Sequence, residues 1–218
     1  AHTDWTQVVQ GASAVVHLAA RVHQVVDSSA DPLQAFRATN LHSTVQLARS
    51  AQLAGVRRFI FVSTVKVMGE QTAPGRPFRA SDPAQPQDAY ATSKYEAEQE
   101  LKALTAGSTM ELVIVRPPLV YGPGVRANFA SLVRAVARGV PLPLGRVHNQ
   151  RSLVGIDNLV DLLLLCTHHP RAVGQTLLVS DGHDVSTAEL VQQIAAALGR
   201  PARLLPVPLP WLRLAGRL

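Results

Sequence analysis

Apolar residues in this chain fall into short dense runs separated by longer stretches with helical spacing. Val15 to Ala20 is a brief apolar run between polar segments, which predicts a buried strand over 15–20. From Asp31-Pro32 the apolar positions recur at helical spacing through Phe36, Leu41, Val45, Leu47 and Leu53, and Gly55 closes the pattern. Arg58 to Val62, rich in aromatic and β-branched residues, reads as the next strand. A proline-bearing loop (Pro74, Pro77, Pro83, Pro86) follows and ends at Asp88, an N-cap for a helix that runs to about Leu104. Leu112 to Arg116 is a third strand, stopped by Pro117-Pro118.

Beyond these prolines the pattern predicts a helix over 127–138 closed by Gly139 and an extended segment over 141–145. A helix over 157–168 and a short strand over 175–180 come next. Ser186-Thr-Ala-Glu189 is a capping box that opens a helix ending near Gly199, and 201–210 is proline-rich and extended. Strand, helix, strand, helix, strand in this order implies right-handed crossovers and a parallel α/β sheet. Ligands of such sheets gather at the carboxyl ends of the strands. Those ends are Ala19-Ala20, Ser63-Thr64 and Pro117-Pro118.

The composition is that of a globular protein: 218 residues, 47% hydrophobic and 17% charged. The net charge is +6. Its basic residues are scattered rather than gathered in a run, which argues against a nucleic-acid arm. A single cysteine, Cys166, lies in an apolar run and reads as a buried small hydrophobe. The apolar stretch around 159–166 contains Asp161 and is too short for a membrane span. With no signal peptide legible, a cytoplasmic location is expected.

The candidate chemistry is Thr64 at the end of an apolar run, followed by Tyr90-Ala-Thr-Ser-Lys94. Positions i and i+4 share a helix face, so the Lys94 ammonium is expected close to the Tyr90 hydroxyl. A nearby cation favours phenolate and makes the tyrosine a proton carrier for an alcohol near neutral pH. The histidines do not support a metal site: none pairs with a carboxylate at ligand spacing. His17, inside the first strand, is expected as a core histidine, and His168-His169 as a pair interacting with the last carbonyls of a helix. Trp5, Trp211 and the tail 209–218 could form a membrane-surface element, but packing under the lobe is the expected use.

Six blocks occur in order: Val16-His-Leu-Ala-Ala20, Asn40-Leu-His-Ser-Thr44, Phe61-Val-Ser-Thr64 with Gly69, Tyr90-x-x-x-Lys94, Arg116-Pro-Pro-Leu-Val-Tyr-Gly-Pro123 and Arg151-Ser-Leu-Val-Gly-Ile-Asp157. In these blocks the chain resembles the extended short-chain dehydrogenase/reductases, in their NAD-dependent sugar epimerase/dehydratase branch. The resemblance implies a Rossmann-like parallel sheet, its first strands missing, with a small α/β substrate-binding lobe. The Rossmann part is expected over 1–118 and 152–182, the lobe over 119–151 and 183–218.

It further implies Tyr90 as acid/base, Lys94 on the nicotinamide ribose, and Thr64 on the reacting sugar hydroxyl. Leu18, Ala19, Ala20 and Arg21 would line NAD, with Thr39 and Ser63 near it and Pro118 beside the nicotinamide. Asn128 and Arg151 would hold the diphosphate of a UDP-sugar, and relatives dimerise through the helix after Asp31 and the Tyr90 helix. Two departures stand out. The glycine-rich pyrophosphate turn of the family is not found, which leaves NADP open beside NAD and predicts negligible cofactor affinity for this stretch alone. Leu119 occupies the place of a substrate-binding asparagine.

The expected activity is a 4-epimerase on a UDP-hexose or its N-acetyl derivative. A one-way UDP-4-keto-sugar reductase would use the same residues. A protein that kept the fold and only senses cofactor or serves as a scaffold is a reading of another class, and it has no need for all of Thr64, Tyr90 and Lys94.

Overall fold

A computed structural model describes residues 3–22, 31–208 and 210–212. The chain divides into two compact units, 1–118 with 159–179, and 119–158 with 180–218. The first unit is built on a parallel sheet of β1 (Ala14–His17), β2 (Arg58–Val62), β3 (Glu111–Arg116) and β6 (Thr176–Leu178), in that spatial order. Both faces of β2 and β3 are buried, as parallel strands require. Phe59, Phe61, Leu112 and Ile114 pack with Ala48, Ala51, Ala97 and Leu101 on one face, and Ile60, Val113 and Val115 are inaccessible on the other. The small alanines let α3 (Ser43–Leu53) and α4 (Ala89–Thr105) approach the sheet closely.

The strand expected over 15–20 is shorter. Its last ladder pair is His17 with Phe61, which leaves Leu18, Ala19 and Ala20 beyond the sheet. The helix expected from Asp31 to Leu53 is one path in three parts. Asp31 caps α2 (Pro32–Arg37), a π-helical turn covers Ala38–His42, and α3 follows. Such wide turns mark functional sites, and this one holds the fully buried Asn40. Gly55 closes α3 with φ of 76°, the left-handed conformation that glycine adopts without penalty. Buried Arg58 donates to Glu111 and to the carbonyls of Cys166 and His169, while His169 Nδ1 accepts from Arg171 N.

The second unit holds a two-stranded parallel sheet that the apolar pattern did not suggest: β4 (Leu119–Tyr121) with β5 (Leu153–Gly155). Three-residue strands carry too few positions to show a period. Helices α5 (Ala127–Ala137) and α7 (Thr187–Ala197) cover a core of Val136, Leu153, Val185, Leu190, Val191 and Ile194. Ser186 caps α7 by accepting from Glu189 N, but the reciprocal half of the capping box is replaced by a Glu189–His183 contact at 3.0 Å. Leu142 and Leu204 bridge the two extended segments.

The partition differs from the expected one at the return segments, since 152–158 and 180–182 group with the lobe. Pairing of β5 with β4 and the Asp181 carboxylate explain this. Asp181 accepts from Tyr121 Oη, Gly155 N and Asn158 Nδ2 at 2.7–3.0 Å. Trp211 is 67% exposed rather than packed under the lobe, and Trp5 belongs to the first unit. Leu209 and 213–218 of the expected tail lie outside the described residues. Among the described residues no helix is long and apolar enough to cross a membrane.

Candidate functional site

The carboxyl edge of the first unit's sheet gathers the polar residues. Where β2 ends, Ser63 N donates to Val115 O at 2.7 Å and Val65 N to Pro117 O at 3.0 Å, so β3 fixes the path of the chain through Thr64. Thr64 Oγ1 accepts from Lys66 N at 3.3 Å and caps a 3₁₀ turn over Val65–Met68. Thr64 and Ser63 are both buried, and Ser63 Oγ has no hydrogen-bond partner among the described residues.

Asp88 starts α4 by accepting from Ala91 N at 2.6 Å. Two residues on, the Tyr90 ring meets the edge of Phe36 at 6.1 Å, with Arg21 over the Phe36 face at 5.5 Å. Burial raises the pKa of the Tyr90 phenol above its usual value, and the Asp88 charge adds to this. The Lys66 charge and a hydrogen bond with Thr64 pull the other way. Lys66 Nζ is held by Asp88 at 2.6 Å and Glu70 at 2.9 Å.

This corrects the expected pairing. Lys94 shares a helix face with Tyr90 but turns inward, where its ammonium sits 4.0 Å from the centre of the Phe61 ring. The electron-rich face of an aromatic ring attracts a cation at this distance. Burial lowers the Lys94 pKa to about 7, opposed by Glu98, and Lys94 is not among the groups that shift Tyr90. The cation that acts on the tyrosine is Lys66, which the spacing argument did not identify. No described residue hydrogen-bonds the Lys94 ammonium.

His17 is a core histidine as expected, 8% exposed, stacked on Phe61 and bonded to Thr44 Oγ1 at 2.8 Å. Burial and Lys94 push its pKa down to about 4.

Asn40 ties the loop after β1 to this edge. Its oxygen accepts from Arg21 N at 2.8 Å, and its amide donates to Arg21 O and Ser93 Oγ at 3.0 Å. Ser93 in turn donates to Tyr90 O at 2.7 Å. The sequence displayed Asn40 and Ser93 inside its blocks without assigning them a task. Leu18 and Ala19 are exposed and Ala20 is half-buried on this loop; Thr39 is exposed and Pro118 half-buried. Asn128 and Arg151 belong to the second unit, and both are exposed. Arg151 exchanges two backbone bonds with Val185, which fix its main chain in the lobe. Ala127, beside Asn128, has φ of 54°, an uncommon conformation for a residue with a side chain.

Known proteins resemble this chain along its whole length. A UDP-glucose 4-epimerase of Vibrio cholerae is 52% identical over 219 aligned residues, covering 100% of this chain and 67% of the relative. A UDP-glucose 4-epimerase of Mycolicibacterium smegmatis is 34% identical over 197 residues, covering 86% of this chain and 60% of the relative. The chain therefore spans roughly two thirds or less of the length of these relatives. The solved structure of MoeE5 in complex with UDP-glucose and NAD superposes with a TM-score of 0.74 at 25% identity, over 93% of this chain and 68% of that one. Residues 1–180 match the NAD dependent epimerase/dehydratase family, and the chain belongs to that family.

Proposed function

We propose that this protein is an NAD-dependent nucleotide-sugar epimerase acting at C4 of a UDP-hexose or its N-acetyl derivative. The observation that carries the reading is the carboxyl edge of the first unit. There Thr64, Tyr90 and Lys94 stand with Ser63 Oγ, a buried hydroxyl that no described residue hydrogen-bonds, and with the Lys94 ammonium, whose described contact is the Phe61 ring. Unpaired buried polar groups are rare and signal a missing partner. A ribose supplies hydroxyls of the right kind, so these residues fit a dinucleotide. The 52% identity to a UDP-glucose 4-epimerase along the whole chain supports the substrate class.

In this reading Ser63, Lys94, Thr39, Pro118 and the loop Leu18 to Arg21 hold NAD. NAD held there would supply a reversible hydride acceptor for C4, which leaves no net redox change. Tyr90 as phenolate takes the proton of the C4 hydroxyl, and Thr64 hydrogen-bonds that oxygen and fixes its distance. On the return step Tyr90 would give the proton back to the same oxygen, and hydride return to the opposite face of C4 would complete the epimerisation. Asn128 and Arg151 hold the diphosphate, where a guanidinium fork matches phosphate oxygens. A homodimer through α2 and α4 belongs to the same reading, and light scattering of the intact protein checks it.

The test is conversion of UDP-glucose to UDP-galactose by the purified holoenzyme, followed by proton NMR. Interconversion with cofactor retained and no net NADH consumed is the expected result. Stoichiometric NADH consumption would establish a 4-keto-sugar reductase instead, and full activity in Tyr90→Phe would remove the assignment altogether.

A further inference from the structure

Glu98 and Arg116 form an ion pair with side chains 0% and 5% exposed. Two bonds join them, Nε to Oε1 at 2.9 Å and Nη2 to Oε2 at 2.5 Å. Charges at this depth lose their hydration, and an apolar pair of similar volume holds a helix on a sheet as well or better. Packing therefore gives no reason for ions here, but their neighbours do. Glu98 lies one helical turn beyond Lys94 on α4, and Arg116 is the last residue of β3. The next carbonyl, that of Pro117, accepts from Val65 N beside Thr64, and the preceding one, of Val115, accepts from Ser63 N. One pair thus joins the helix that carries Lys94 to the strand end that anchors the Thr64 turn.

We propose that the Glu98–Arg116 pair is a positioning unit for Lys94 and Thr64, fixing α4 to the end of β3 and setting a carboxylate one turn behind the Lys94 ammonium. The inference rests on the reading of Lys94 as a cofactor-binding cation. The other groups around Lys94 do not replace Glu98. His17 on β1 is neutral, its charge disfavoured by burial and by Lys94 itself. Phe61 on β2 offers only its ring face. Asp88 at the start of α4 is engaged by Lys66. Without Glu98, Lys94 would lose the carboxylate that favours its charged form against burial, and would give up its proton more easily.

Two variants of the intact enzyme test this: Glu98→Gln, and the double variant Glu98→Leu with Arg116→Met. Lys94 is titrated by ¹³Cε-lysine NMR, with Lys94→Arg identifying its resonance as the one that disappears. This readout needs no turnover. In Glu98→Gln the pH at which Lys94 titrates is expected to fall by about one to two units. Its kcat is expected to fall roughly tenfold or more, with KM for the UDP-sugar nearly unchanged.

The double variant is expected to regain thermal stability while keeping the altered titration and the low kcat. A double variant with wild-type titration and kcat would show the pair to be merely structural and overturn the proposal. If wild-type enzyme turns over no UDP-hexose, the functional reading fails separately, and the Lys94 titration still decides this one.

Discussion

The two units handle charge in opposite ways. In the first, Lys94, Glu98, Arg58 and Arg116 are buried among apolar side chains, each within reach of a ring, a carbonyl or an opposite charge. In the second, Arg151 and the other described arginines lie at the surface, and the unit contains no lysine and only Asp157, Asp181, Asp184 and Glu189 as carboxylates. A charge stripped of water shifts its own and its neighbours' pKa values, which suits proton handling. A hydrated guanidinium tunes nothing but can pair with an arriving anion. Under the proposed function, the difference matches chemistry in the first unit and substrate capture in the second.

Tyr90→Phe is the most direct attempt to break that division. Loss of the acid/base is expected to lower kcat by about a thousandfold while NAD affinity stays within a few-fold of wild type. Stopped-flow and calorimetry of the holoenzyme separate the two. A variant that loses cofactor instead of rate would show the tyrosine to be structural.

Acid titration sharpens the comparison through stability. The folded pKa of His17 is about 4 against 6.5 for the free side chain. The unfolded chain therefore binds more protons between these values. The contribution of His17 is complete above pH 6.5 and lost as pH falls towards 4, a total of about 3 kcal/mol. In the second unit the Asp181 pKa is lowered by Asn158, Gly155 and Tyr121, so its contribution is lost only below the usual carboxylate range. Urea unfolding across pH 7 to 4 is expected to show the first unit weakening first, and His17→Gln to flatten that slope.

Gly122 and Arg151 probe the lobe alone. Gly122 has φ of 154°, and a Cβ there would stand 2.4 Å from Ile156 Cγ2. Gly122→Ala is expected to destabilise the protein by about 1–3 kcal/mol, read as a lower Tm. Arg151→Met is expected to raise KM for the UDP-sugar about tenfold with kcat unchanged, and to weaken the salt dependence of kcat/KM. An equal fall in kcat would mean that the second unit takes part in the chemistry.

Which of these features the sequence displayed follows from their range in the chain. Dense apolar runs located β2 and β3 within one residue, because burial on both faces leaves no polar alternative. Asp31, Asp88 and Ser186 announced three helix starts, since capping is a contact over two or three residues. What stayed hidden depends on long-range pairing. The β4–β5 sheet joins residues more than thirty positions apart. Asn40 meets Ser93, and Glu98 meets Arg116, only once the sheet is assembled. The Tyr90–Lys94 spacing was visible, but helix periodicity says which side chains share a face and not where each one ends. Phe61 took the lysine, and Lys66, in a 3₁₀ turn after Thr64 with no legible period, is the cation whose charge favours the phenolate.

That exchange of lysines yields the smallest expected effect and the most specific one. Tyr90 must be deprotonated to act as base, so activity rises with pH through its titration. Lys66 favours the phenolate and Asp88 opposes it. Lys66→Met is therefore expected to move the rising limb of the pH–kcat profile to higher pH, and Asp88→Asn to lower pH. Asparagine keeps the helix cap, so the second variant removes charge without loosening α4. Plateau rates should change little in either. Two shifts of opposite sign cannot come from general loosening of the site. Equal shifts in one direction would show that Lys66 and Asp88 act on the fold rather than on the tyrosine.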